Sequence, residues 1–245
     1  MNWTANCKTA AMAGVLMLSA ASAWAAPTSF NFTRITSNPE QPDVGSQLQM
    51  DVYNTTDASA FLNQSLTNQI LFTFANSAQT AANIAEIYFD DSGFLASQTA
   101  ILNSLGGFTS FSPVSWTKPN GTLKNVVLPG GNNADPNFEP TPYFGANVDQ
   151  GNPSLGVNTG SDVLGILVSL NNGYSFDDIS SALTGGALRI GMHVRSIGAA
   201  GASDSYINNR IPTETISGVP LPASAWMFLS GLVGFLGWQR RKAAA

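Results

Sequence analysis

Apolar residues alternate with polar ones, two by two, through most of the chain's middle. Leu48, Met50 and Val52 are separated by Gln49 and Asp51. Ile70, Phe72 and Phe74 repeat the pattern, as do Leu164, Ile166, Val168 and Leu170. Leu188, Ile190, Met192 and Val194 form a fourth set, with Arg189, His193 and Arg195 on the other face. Side chains on a strand point to opposite faces in turn, so this period of two demands half-buried β-strands. Phe30 with Phe32, the run Ile84 to Phe89 and the run Phe108 to Trp116 add less regular strands. Turn residues separate them, at Asn38-Pro39, Asp91-Ser92-Gly93, Pro119-Asn120-Gly121, Pro129-Gly130-Gly131 and Asn171-Asn172-Gly173.

The expected fold is therefore all-β, a jelly-roll-like antiparallel β-sandwich with one or two short helices. Ser175 opens a Ser-x-x-Asp capping box with Asp178. Phe176, Ile179 and Leu183 share one side of the helix that follows, and Gly185-Gly186 ends it. A second helix is expected near Ala96 to Leu105. The stretch from about Gly130 to Asp162, rich in Asn, Pro and Gly, reads as a long surface excursion of the kind that carries binding.

Both ends have a different grammar. Lys8 lies in a short polar segment, Ala10 to Ala21 is apolar, and Ala23-Trp24-Ala25 has the small residues that signal peptidase selects. Residues 1–25 are thus expected to be a signal peptide cut after Ala25, with Ala21-Ser22-Ala23 as a second site. The single cysteine, Cys7, would leave with it. At the other end Val219-Pro220-Leu221-Pro222-Ala223 precedes an uncharged stretch to Trp238, and Gln239-Arg240-Arg241-Lys242 follows. A helix over Ala223 to Trp238 is about 24 Å long, somewhat short of the ~30 Å hydrocarbon core. Snorkelling by Arg240, Arg241 and Lys242 closes the difference. Trp226 and Trp238 bracket the stretch at interfacial positions. The basic cluster places the C-terminus in the cytoplasm and residues 26–218 outside it.

This order of proline motif, short apolar helix and basic cluster resembles the PEP-CTERM sorting signal of Gram-negative bacteria. The glutamate usual between the prolines is Leu221 here, as in the VPLPA-type variant. The resemblance implies export across the inner membrane, transient anchoring by the C-terminal helix, and recognition by an exosortase. On that basis Val219, Pro220, Leu221, Pro222, Arg240, Arg241 and Lys242 are the sorting and processing residues of segment 219–242. An anchor that is never cut is the plainer alternative. Ile84 to Asp91, Ala187 to Arg195 and Gly201 to Asn208 also resemble recurrent segments of secreted PEP-CTERM cargo domains. The resemblance implies a cell-surface, biofilm or extracellular-matrix protein, structural or interacting, with exopolysaccharide as a partner.

Charge narrows the choice further. The segment 26–218 keeps six bases against all fifteen acids, a net charge of -9. Such a surface repels phosphate backbones, so no nucleic-acid partner is expected. The only histidine is His193. With no cysteine in the mature chain, a zinc site of the usual ligands cannot be assembled. No Gly-x-Ser-x-Gly elbow and no phosphate-binding loop is present. Asp90-Asp91 and Asp177-Asp178 are adjacent pairs, a poor start for a glycosidase because neighbours on a strand face opposite ways. Asp90-Asp91-Ser92-Gly93, Asn132 to Asp135 and Asp149 to Asn152 carry oxygen ligands suited to calcium, though without EF-hand spacing. Tyr88, Trp116, Tyr143, Phe144, Tyr174 and Tyr206 are the aromatics available to stack on sugars, with Tyr143-Phe144 the better exposed candidate. The expectation is a non-enzyme without catalytic residues, metal or cofactor. A carbohydrate-binding module, calcium-assisted or not, is the alternative, and a glycoside hydrolase comes after it.

Overall fold

The computed structural model describes residues 27–36, 38, 41–102, 111–113, 127–148, 156–158 and 162–212. All of them belong to one compact unit. The signal-peptide segment with Ala23 and Ala25, the segment 219–242, Trp116 and Asp149 lie outside the described residues. Among those described, no helix is long and apolar enough to cross a membrane.

Among the described residues ten strands form, and every pairing between them is antiparallel. They are β1 (Thr28–Arg34), β2 (Leu48–Tyr53), β3 (Gln69–Asn76), β4 (Asn83–Asp91), β5 (Leu95–Leu102), β6 (Phe111–Pro113), β7 (Gly145–Val148), β8 (Val163–Leu170), β9 (Leu188–Ile197) and β10 (Ala202–Asn208). Their spatial order is β5-β8-β3-β2-β1-β10-β9-β4-β7-β6. The first three strands are a meander. The pairs β3–β8, β4–β9 and β1–β10 join segments distant in sequence.

Strand β1 is the hinge of this order. Its residues Thr28 to Asn31 pair with β2, and Phe32 to Arg34 pair with β10. The four alternating sets of the sequence all face one interior. Phe30, Met50, Phe72, Phe74, Ile166 and Val168 from one half meet Ile87, Phe89, Ile190, Met192 and Tyr206 from the other. Phe72 and Phe89 touch edge to face with ring centres 5.2 Å apart. Their strands are far apart in sheet order, so this contact spans the interior. Each such side chain, fully buried, contributes roughly 1.5–3 kcal/mol of transfer free energy.

The sheet nearly closes on itself. Its two ends, β5 and β6, come close, and Gln98 of β5 bridges to the backbone of Gly145 in β7. The Gln98 amide donates to the Gly145 carbonyl at 3.0 Å, and its oxygen accepts from the Gly145 N–H at 2.7 Å. One side chain thus stands in for a rung of a strand ladder.

Two α-helices cover this sheet. The helix α2 (Phe176–Gly185) has Ser175 as N-cap, with the reciprocal capping box to Asp178, and Gly186 in the left-handed conformation at φ 82° after it. Ile179, Ala182 and Leu183 enter the core. Ser175→Ala should cost about 1 kcal/mol, read as a lower denaturant midpoint with an unchanged m-value. An unchanged midpoint would mean that packing of Ile179 and Leu183 alone holds the helix.

The other helix, α1 (Thr55–Leu62), was not expected. Asn54 caps it by accepting from the Asp57 N–H, and Asn63 closes it at φ 51°. It covers the outer face of one half-sheet, where Ala58 meets Leu71 and Leu167. That cover explains why β3 reads Ile-Leu-Phe-Thr-Phe, apolar on both faces. The helix expected near Ala96 to Leu105 is corrected: Leu95–Leu102 is strand β5. Propensity over Ala96 to Ala100 is ambiguous, and the open edge of β8 decides the matter by offering ladder partners. The pairing is accordingly irregular, with register shifts between Leu95 and Ser97 and between Gln98 and Ala100.

Candidate functional site

The outer face of β4, β9 and β10 carries the densest polar chemistry among the described residues. Register puts three rows across these strands. Asp90 lies opposite Arg189; Tyr88 opposite Gly191, and Gly191 opposite Ile207; Glu86 opposite His193, and His193 opposite Ser205.

The middle row is a saddle. A Cβ at Gly191 would stand 2.7 Å from Leu128 and 2.9 Å from Phe138, so only glycine lets residues 127–141 lie down on the sheet. Tyr88, Leu128 and Phe138 form a small apolar cluster there.

The first row fastens the same segment. Arg189 is 7 % exposed and is paired with Asp90. It also donates to the carbonyls of Pro136 and Asn137. Its guanidinium lies 5.3 Å from the centre of the Phe138 ring. Asp90 accepts in addition from the Glu139 N–H at 3.2 Å. These bonds use the Asp90 carboxylate within the protein.

In the third row Glu86 gathers three donors. His193 Nδ1 is 3.0 Å from Glu86 Oε2, and the Tyr88 hydroxyl donates to the same oxygen at 2.6 Å. Arg195 donates to Oε1 at 2.6 Å. Burial by itself would raise the Glu86 pKa, but the hydrogen bonds from His193 and Tyr88 and the nearby His193 and Arg195 charges outweigh it. They hold the carboxyl at about 2. Burial and the Glu86 charge push the Tyr88 hydroxyl well above its usual value.

Glu86, His193 and Ser205 follow the order of acid, imidazole and hydroxyl that acyl-transfer enzymes use. The Ser205 hydroxyl, however, is fully buried and has no hydrogen-bond partner. Nothing of substrate size reaches it from solvent. The row behaves as a bonded network within the sheet, with one unsatisfied hydroxyl at its end.

Other sequence candidates are placed as follows. Asp91 accepts from the N–H groups of Phe94 and Leu95, closing the turn between β4 and β5. Asp178 caps α2, and its two bonds from Ser175 lower its pKa. Asp204 is buried and bonded by Thr36 and Arg34. Among the described residues no three His, Cys, Asp or Glu side chains converge as metal ligands would.

Of the aromatics, Tyr206 is in the core with its pKa pushed up to about 12, chiefly by burial. Phe144 is buried against Phe89, so the exposed pair expected at Tyr143-Phe144 reduces to Tyr143. Tyr174 is half-exposed and packs on Phe94 with ring centres 4.8 Å apart. The excursion over Gly130 to Asp162 is less detached than expected, since β7 pairs with β4 and Val157 bridges to Ile84.

Beside the saddle a cleft of ≈ 400 Å³ opens between the Asn133–Asp135 segment, the end of β10 and the C-terminal end of α2. Sequence reading missed it because its walls come from segments far apart in the chain, around Thr33, Asn133, Leu183 and Ile207. Arg210 is the one signal, a charged residue two positions after the last described strand.

Compared with known proteins, the chain matches no family model, no curated protein and no solved structure.

Proposed function

We propose that this protein is an exported β-sandwich cargo, sorted by an exosortase and destined for the cell surface or extracellular polysaccharide matrix, where it acts by structure or interaction and not by catalysis. The observation that carries the reading is the ordered tail Val219 to Lys242, with its proline motif, uncharged stretch and Arg240-Arg241-Lys242 cluster. In this proposal Ala23 and Ala25 direct signal peptidase, and residues 26–218 are the cargo domain. The apolar stretch holds the cargo in the inner membrane until the exosortase cuts near Pro220-Leu221-Pro222.

The described body supports the reading in a general way. The acidic side chains nearest to catalytic arrangements, Glu86, Asp90 and Asp204, are committed to partners within the protein. Two facing half-sheets share β1, which favours a sandwich. The long-range pairs β3–β8, β4–β9 and β1–β10 favour a jelly-roll-like winding.

Intact mass spectrometry of protein recovered from cells and medium tests the proposal. The expected species starts at Ala26 and ends near Pro222, with any added mass at the C-terminus identifying what it is joined to. A mature species that still extends to Ala245 would overturn exosortase processing and leave a plain anchored surface protein. The cleft beside the saddle favours a second reading, binding of carbohydrate by the same body.

A further inference from the structure

The cleft is polar at its rim and apolar at its floor. Asp135 and Arg210 both line it, both are exposed, and neither has an ion-pair partner among the described residues. Asn133 uses its amide nitrogen on the Ile35 carbonyl, and Asn209 uses its oxygen to accept from the Thr33 hydroxyl. Each therefore keeps half of its amide without a protein partner. Ile35 and Ile207, half-buried, supply the apolar wall.

The guanidinium has a reason to be where it is. Gly186 closes α2, and a Cβ there would stand 2.8 Å from Arg210 Cζ. The C-terminal end of a helix carries partial negative charge, which favours a cation beside it. The absence of a Gly186 side chain lets the guanidinium lie flat at that end.

These groups select among ligands. An apolar ligand would desolvate a carboxylate, a guanidinium and two amides without return. Inorganic phosphate or sulfate would meet Arg210, and Arg189 only as the partner of Asp90, together with the Asp135 carboxylate and the negative end of α2. A free amino acid would satisfy Asp135 and Arg210 and leave the amides and the isoleucine wall unused. A sugar acid uses all of them. Its carboxylate suits Arg210, its hydroxyls donate to Asp135 and exchange hydrogen bonds with Asn133 and Asn209, and its C–H face suits Ile35 and Ile207. The volume lies within the usual range for small-ligand sites, about 300–1,000 Å³.

We propose that this cleft binds a uronic acid residue, with Arg210 as the specificity-determining cation and Asp135 as the principal hydroxyl acceptor. The proposal rests on the carbohydrate-binding reading and is independent of how the tail is processed.

The test is calorimetric titration of the full-length protein in detergent with sodium glucuronate, with glucose and glycine as comparison probes. Glucuronate should bind with a Kd on the order of 1 mM, about tenfold tighter than glucose, and weaken as salt is added. Arg210→Gln should remove that tenfold preference with only a small drop in the thermal melt, as expected for the loss of one exposed cation at a helix end. Asp135→Asn should weaken both sugars. No heat with glucuronate, equal binding of glycine, or an Arg210→Gln variant that keeps the preference would each overturn the proposal. Electrophoresis through gels containing a neutral polysaccharide or a polyuronate separates the two levels of the argument. Retardation by the polyuronate gel that Arg210→Gln leaves unchanged supports carbohydrate binding and sinks this site; retardation by neither gel sinks both.

Discussion

Gly145→Ala should destabilise the body by about 4 kcal/mol, among the largest effects a single methyl group can have. Gly145 has φ 133°, a conformation that a side chain strongly disfavours. An added Cβ would overlap the Ile87 carbonyl oxygen, which belongs to the partner strand β4. The backbone cannot retreat cheaply, because Gly145 also exchanges two hydrogen bonds with Gln98. Relief of the clash therefore opens the seam between the two ends of the sheet. For a body of this size the loss corresponds to a melting temperature lower by roughly 10 °C. Gln98→Ala, which removes the bridge without the clash, should cost about 1–3 kcal/mol. Thermal denaturation of the two variants beside the parent settles the order. Equal melting temperatures for Gly145→Ala and the parent would mean that the β4–β7 edge carries no weight in global stability.

The second large effect is a loss of stability in acid that depends on one residue. The folded-state pKa of Glu86 is about 2, against 4.5 for the free side chain. A depressed carboxyl binds its proton more weakly in the folded state than in the unfolded state. Its contribution is complete above about pH 4.5 and is lost as the pH falls through 4.5 towards 2. The displacement corresponds to about 3 kcal/mol at neutral pH. Glu86→Gln should lower the urea midpoint at pH 6, where Arg195 loses its charged partner. By pH 2 parent and variant should converge. Taking the difference between the two proteins removes the contribution of the other acids, which titrate in both. A difference that stays constant from pH 6 to pH 2 would show that Glu86 acts through packing and not through its charge.

Much of this fold could be read from residues whose burial is one-sided. Leu48, Met50 and Val52 alternate with the more exposed Gln49, Asp51 and Tyr53 and are all buried in the core. Ser175 and Asp178 cap α2 as their spacing implies. The reading fails where a partner supplies the signal. Strand β5 has its conformation from the edge of β8 and not from Ala96 to Ala100. Helix α1 carries the same cap spacing as α2 in Asn54 and Asp57, but its apolar face is short, only Ala58 being buried.

The outer-face network was half legible. Arg189, His193 and Arg195 were visible as one polar face, and Asp90 as half of an adjacent acidic pair with Asp91. Only the register of β4 against β9 reveals that they are each other's partners. The alternation Glu86-Tyr88-Asp90 against Arg189-His193-Arg195 is the pattern that would have shown it. The cleft has no local signature, since Asp135 and Arg210 meet only through the fold. The predicted sorting residues, from Val219 to Lys242, rest on sequence alone.

The place of β10 has a consequence for the order in which the chain can acquire its shape. β10 lies between β1 and β9, and no other strand links the two halves of the ten-strand order. Without β10 the ladder falls into two runs, β5-β8-β3-β2-β1 and β9-β4-β7-β6, joined among the described residues by side chains, such as the Gln98–Gly145 bridge, and not by backbone pairing. The last strand to arrive is the one that makes them a single object. No shorter N-terminal piece carries the full ladder, so the backbone joint between the two runs waits for residues as late as Ala202 to Asn208.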